Sequence, residues 1–339
     1  MNTQIQSAEA PLFPLNPKHR LAFNEKGSFR ILMLSDVQEH FPYDERVTEF
    51  FNAVLDREHP DLILFGGDNC CGPDIHTEEE FDGFLANLTE PAERHKIPWA
   101  HVFGNHDHDL FIDDSEQQRR YEAYPYCVSG HTPGIHGTTN FVLPIHAHDS
   151  NKVVFTVWGL DTNNLAADMD NLLMNGCSMK PLTNLPNRET PYGAWDTVRF
   201  DQLMWYWNTS VALEKAAGYK VPGLMFMHIA PEEFQLAGDH PDVSNRKGYW
   251  DERLSPAVLN SGLFSEIVQR GDIRCICCGH THRNDGEAEL CGIRLCFDAS
   301  AGTRCYGNDE TRGCRIFDLS ESEPDRILTR MVHKSEFGM

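Results

Sequence analysis

Residues 29–38 read Phe-Arg-Ile-Leu-Met-Leu-Ser-Asp-Val-Gln. The apolar run Ile31–Leu34 is too short for a helix and has the length of a buried strand. Its surroundings set the fold class. Residues 44–58 carry Val47, Phe50, Phe51, Val54 and Leu55 at helical spacing, and Asp61–Phe65 is the next strand. Residues of about 77–95 are helical, opened by Thr77 with Glu80 three positions on, the pattern of a capping box. Pro98–Phe103 gives a third strand. A βαβαβ run of this kind implies parallel strands with helices packed on the sheet.

Downstream, residues 107–138 mix charge, Gly and Pro and read as a loop-rich insertion with one helix near 114–124. Strands are expected at about 139–145 and 152–160. Residues 161–195, rich in Pro and Asn, form a second insertion. A helix comes next at about 197–217, and its Trp205, Tyr206 and Trp207 read as core. Then come the strand Gly223–His228, a helix at about 256–270, the strand Arg274–Cys278, and short strands to about 333. Helix-covered strands first and β-rich hairpins last point to two sheets sharing one core. No linker or repeat divides the chain. Residues 1–28 read as an N-terminal extension and 29–335 as a single domain.

Lys and Arg total 29 against 51 Asp and Glu, a formal net charge of −22 over 339 residues. A chain this acidic has no long-range attraction to a nucleic-acid strand or an anionic membrane. The N-terminus lacks the basic start and apolar core of a secretory signal, and no apolar run approaches a membrane span. The expected location is therefore cytoplasmic. The 11 cysteines are an odd number and read as reduced thiols. Cys275, Cys277 and Cys278 form no CxxC pair and read as small buried hydrophobes.

The residues at the strand ends carry the chemistry. The first strand runs into Asp36-Val-Gln38, and the second into Gly66-Gly-Asp68-Asn69. The third runs into Gly104-Asn105-His106-Asp107. Two later strands end at His228 and at Gly279-His280-Thr-His282. Ligands bind at the carboxyl ends of strands in open α/β sheets, so these side chains should converge.

In their order these residues resemble the signature of the calcineurin-like metallophosphoesterases, D-x-H, G-D, G-N-H-[DE], H and G-H-x-H. The stretch from Ser255 to Leu319 is similar to the small purple-acid-phosphatase-like branch. The resemblance implies a four-layer αββα sandwich and a dinuclear centre of two divalent or trivalent ions, Mn, Fe or Zn. It places Asp68 between the metals, Asp36 and His282 at the first, and Asn105, His228 and His280 at the second. His106 becomes the general acid, oriented by Asp107, and a metal-bridging hydroxide attacks the phosphate ester. The expected substrate is a small phosphorylated molecule or a phosphoprotein. Alternatives are a phosphodiester such as a nucleotide, or a non-catalytic binding scaffold.

Two positions depart from the family pattern. Gln38 stands where the family has His, which puts a neutral amide in the ligand set. Cys71 stands where purple members carry a Tyr ligand, so no purple colour is expected. Arg304, in the loop Gly302–Gly307, and His108 are candidate substrate contacts, and Asp109 joins His108 at the pocket mouth.

Overall fold

The computed structural model describes residues 18–164, 195–257 and 259–339. Most of the expected insertion at 161–195 lies outside them. Two β-sheets face each other. The first has the order β11-β10-β1-β2-β3, with β1 at Ser28–Leu34, β2 at Leu62–Gly66, β3 at Trp99–Val102, β10 at Gly313–Ser320 and β11 at Leu328–His333. Strands β1, β2 and β3 are parallel, and β10 runs antiparallel to β1. The second sheet has the order β4-β5-β6-β7-β9-β8. Its strands are β4 at Phe141–His146, β5 at Val153–Leu160, β6 at Gly223–Met227, β7 at Ile273–Cys278, β8 at Glu287–Leu290 and β9 at Ile293–Phe297. Its inner strands β5, β6, β7 and β9 are parallel, with antiparallel edges.

Strand alternation builds three apolar layers from one sequence pattern. Ile31 and Met33 of β1 point between the sheets, where they meet β5, β6 and β7 residues such as Val157, Phe226 and Cys277. Leu32 and Leu34 point the other way, onto α1 (Glu45–Glu58) and α2 (Glu78–His95). Two short helices, α3 (Asn105–His108) and α4 (Asp114–Glu122), come after β3. On the far side Met225 and Ile276 pack with α5 (Phe200–Ala217), α6 (Glu233–Asp239) and α8 (Leu263–Arg270), while the single turn α7 spans Pro241–Ser244. The result is the expected four-layer αββα sandwich. Among the described residues no helix is long and apolar enough to cross a membrane.

Local signals explain the boundaries. Thr77 accepts from the Glu80 N–H at 3.1 Å while the Glu80 carboxylate accepts from the Thr77 N–H, so the capping box forms. The helix expected from 256 begins only at Leu263. Gly262 before it has φ +85°, and the apolar pattern upstream belongs to a loop.

Candidate metal centre

The carboxyl ends of β1, β2, β3, β6 and β7 meet at one edge of the sandwich. There the chain bends sharply: Asp36, Gln38, Asp68 and His280 all have positive φ, between 43° and 68°. Non-glycine residues hold this conformation only where the surrounding structure fixes it, and such strain gathers at functional sites. The Asp36 N–H bonds Gly67 O and the Gln38 N–H bonds Asp68 O, so the β1 and β2 loops stay paired beyond the strands.

Two groups of ligand atoms result. Asp36, Asp68 and His282 each offer one atom within 4.8 Å of the others, and so do Asp68, His228 and His280. Asp68 belongs to both. His282 Nε2 lies 3.1 Å from Asp36 Oδ1, and His228 Nε2 lies 3.1 Å from Asp68 Oδ2. The other nitrogens of these two rings face carbonyls: His228 Nδ1 faces Gly66 O at 3.0 Å, and His282 Nδ1 faces Tyr306 O at 2.8 Å. That arrangement makes Nδ1 a donor to a carbonyl and turns each Nε2 toward the carboxylates, so Nε2 is the atom that would ligate a metal once its proton leaves.

The donor set fits a pair of cations. Asn105 Oδ1 is buried with no hydrogen-bond donor, an orphaned acceptor beside the shared carboxylate. Burial raises the pKa of Asp36 and Asp68, but the facing histidines outweigh it and hold both below the usual range. Burial also disfavours charge on His228, yet Asp68 and Asp36 hold its pKa at about 9. His280, penalised by burial and by His228, falls to about 3. Mixed imidazole, carboxylate and amide donors suit borderline and hard transition metals.

The centre opens into a cavity of about 450 Å³ lined by Gln38, Asp68, Asn105, His106, His280 and His282 on its floor. Trp195, Glu252, Ser255, Thr281 and Tyr306 form its walls. The model of the calcineurin-like phosphoesterase family matches residues 29–284. The chain belongs to the calcineurin-like phosphoesterases. Two relatives from Arabidopsis thaliana carry the names probable inactive purple acid phosphatase 29 and 14. The first is 29% identical over 330 residues, covering 88% of this chain and 78% of the relative. The second is 28% identical over 319 residues, covering 86% and 74%. Among solved structures, a dimetal phosphatase from Danio rerio aligns with a TM-score of 0.55 at 16% identity, over 90% of this chain and 97% of that one. That likeness concerns the fold.

Within this calcineurin-like site, several residues differ from the sequence reading. Asp107 does not orient His106. Its buried carboxylate accepts the N–H groups of Gly104 at 2.8 Å, Cys70 at 3.1 Å and Asn69 at 3.2 Å, and so fastens the β2 and β3 loops together. Burial and nearby Asp68 raise its pKa to about 6 against these donors. The partner of the His106 ring is Asp109, whose Oδ2 lies 3.2 Å from Nδ1. The helical turn of α3 explains the exchange: residues three apart share a face, and adjacent ones do not. Burial works against charge on His106, but Asp109 and Asp68 raise its pKa above the usual value.

His108, expected as a substrate contact, is outside the lining of the cavity. Its Nδ1 lies 2.8 Å from Asp114 and its Nε2 3.2 Å from Asp161, so both nitrogens are taken. Arg304 also turns from the cavity; its Nε lies 3.3 Å from buried Glu39, and its Nη1 meets the His40 ring. Gln38 does reach the centre, with Nε2 donating to Asp68 Oδ2 at 2.9 Å. In that pose the amide nitrogen, which has no lone pair to offer a metal, is the atom that faces Asp68. Cys71 donates to Asp74, and its thiol pKa is pushed up to about 12 by burial and that carboxylate.

Sequence reasoning does not find Tyr306 and Trp195. Tyr306 stacks on His282 with ring centroids 4.0 Å apart, and its hydroxyl donates to Glu252 at 2.5 Å. Trp195 meets His280 edge-on at 4.8 Å and donates its indole N–H to Ser255 at 2.9 Å. Tyr306 sits two residues beyond Arg304, in the same Gly302–Gly307 loop, so its position was the available signal. Trp195 lies in an irregular stretch with no periodic signal.

Proposed function

We propose that this protein is a dinuclear metal-dependent phosphoesterase acting on a small phosphorylated substrate. The observation that carries the reading is the pair of ligand groups sharing Asp68, with the His106 ring lining the same cavity. Asp36 and His282, with Gln38 beside them, would hold one metal. Asn105, His228 and His280 would hold the other. Bound metals would supply an activated water and neutralise charge on the phosphoryl group. His106 donates a proton to the leaving oxygen, and Asp109 orients its ring and favours its protonated form. Tyr306 and Trp195 hold His282 and His280 in place and wall the cavity against bulk water. A monoester is favoured over a nucleic-acid strand, because the remaining surface stays acidic.

A second reading draws on a specific observation. Gln38 turns its amide nitrogen, not a ligand atom, to Asp68, and the two Arabidopsis thaliana relatives are named inactive. Under that reading the chain binds metal and a phosphorylated ligand without turnover. Measuring bound metal per chain, and hydrolysis of p-nitrophenyl phosphate beside bis-p-nitrophenyl phosphate with Mn, Zn or Fe, separates the two. The phosphoesterase reading expects metal and hydrolysis of the monoester. Metal without hydrolysis of either ester would support the scaffold, and faster diester turnover would move the substrate class to phosphodiesters. A reducing, cytoplasmic location fits the ten free cysteines among the described residues.

A further inference from the structure

Among the described residues, helix α5 is covered on one face and carries an apolar stripe on the other. Gln202, Tyr206, Ser210 and Leu213 turn inward. There the Tyr206 and Ser210 hydroxyls both bond Asp272. Opposite them, Phe200, Met204, Trp207 and Val211 stand in solvent, exposed by 74%, 48%, 38% and 43%. Val268 of the neighbouring α8 is 40% exposed, and Arg270 of the same helix lies over the Trp207 ring at 5.9 Å. These five account for nearly half of the twelve large hydrophobic residues exposed among the described residues, so the exposure is concentrated here. Single exposed apolar residues are ordinary; a contiguous patch of this kind marks an interaction surface.

The stripe has the spacing of a helix–helix seam. The steps between the four residues are four, three and four, the seam along which two helices interdigitate. Asp201, Asn208 and Lys215 form an exposed row beside it, each seven residues from the next. We propose that α5 is a homodimerisation face, pairing with α5 of a second copy in antiparallel orientation. Antiparallel pairing sets Phe200 against Val211 of the other copy, and Met204 against its Trp207. In that register Asp201 lies on the same flank of the seam as Lys215 of the other copy, about five residues away along the axis, the offset that long side chains bridge in interhelical ion pairs. A two-fold contact of this kind is self-complementary and closed.

Charge adds a second signature. Each copy carries a net −22, so long-range repulsion opposes association and added salt should strengthen the dimer. The test is sedimentation equilibrium of the full chain at low and high NaCl, up to about 100 µM, well above the Kd of a specific dimer. The expected result is a dimer that tightens with salt. Trp207→Glu should raise Kd by about 100-fold or more, as for a central anchor, with Tm unchanged. Lys215→Asp should raise it by about tenfold, and Asp201→Lys in the same chain should restore it. A monomer at every concentration would overturn the proposal. So would a monomeric wild type whose Tm falls in Trp207→Glu, because the stripe would then be covered by the chain's own residues. Failure of the charge reversal to restore Kd would overturn the antiparallel register.

Discussion

His106 and its neighbours separate what a motif specifies from what geometry decides. The run His106-Asp107-His108-Asp109 marks the site in the sequence, but four adjacent polar residues do not say which one serves the imidazole. One helical turn decides it: Asp109 shares a face with His106, while Asp107 is buried among backbone N–H groups. The phosphoesterase reading then predicts distinct effects. His106→Gln should leave metal content unchanged and lower kcat by about 10²- to 10⁴-fold, the usual contribution of a general acid. Asp109→Asn should lower kcat by about tenfold at unchanged KM, as a positioning residue does, while moving the alkaline limb of the kcat profile to lower pH, because His106 loses the charge that holds its pKa up. Asp68→Asn should lose metal and activity together. Metal analysis beside steady-state kinetics checks all three, and loss of metal in His106→Gln would remove it from the role of acid.

The elements from β1 to α2 were legible because each pattern is periodic and each boundary has its own chemistry, Thr77 with Glu80 above all. The loops between them were legible only as positions of polar residues. Close packing of these loops leads to a prediction. A Cβ on Gly104 would stand 2.3 Å from the Asp68 N and Oδ1 atoms and 2.7 Å from the His228 ring. Gly104→Ala should therefore displace both residues and weaken metal binding by at least about tenfold, read by titration of the metal-free protein.

The contact of His108 with Asp161 and Asp114 is a clip at the same scale, joining α3 to the end of β5 and the start of α4. Burial alone would lower the His108 pKa, but Asp161 and Asp114 raise it well above 6.5. Asp161 is held below its usual range, since His108 and backbone donors outweigh its burial. The His108 contribution is thus full below about pH 6.5 and fades as pH rises through the raised folded value; the Asp161 contribution is present above about pH 4 and fades below it. His108→Gln should cost about 3 kcal/mol of unfolding free energy near pH 5.5, and less at alkaline pH. Urea unfolding at several pH values measures the difference.

Across the whole molecule, the ligand groups join the two sheets. Asp36 and Asp68 leave strands of the first sheet; His228, His280 and His282 leave strands of the second. With no metal, two buried carboxylates face three histidines whose protonation is set by mutual contact. Two divalent ions would place about +4 there, in a chain of net −22, and tie the sheets together at their functional edge. Because the unfolded chain lacks this arrangement, metal binding stabilises the folded state by RT ln(1 + [M]/Kd), about 2.7 kcal/mol per site at one hundred times Kd. For a chain of 339 residues this corresponds to a rise in Tm of roughly 4 °C per site. Calorimetry of metal-free protein with increasing Mn should show that rise in the wild type and in His106→Gln, and not in Asp68→Asn. The prediction stands whether or not the chain turns over substrate, since it depends on the ligands alone. A Tm independent of metal in the wild type would mean that the strand-end carboxylates and histidines pair only with each other.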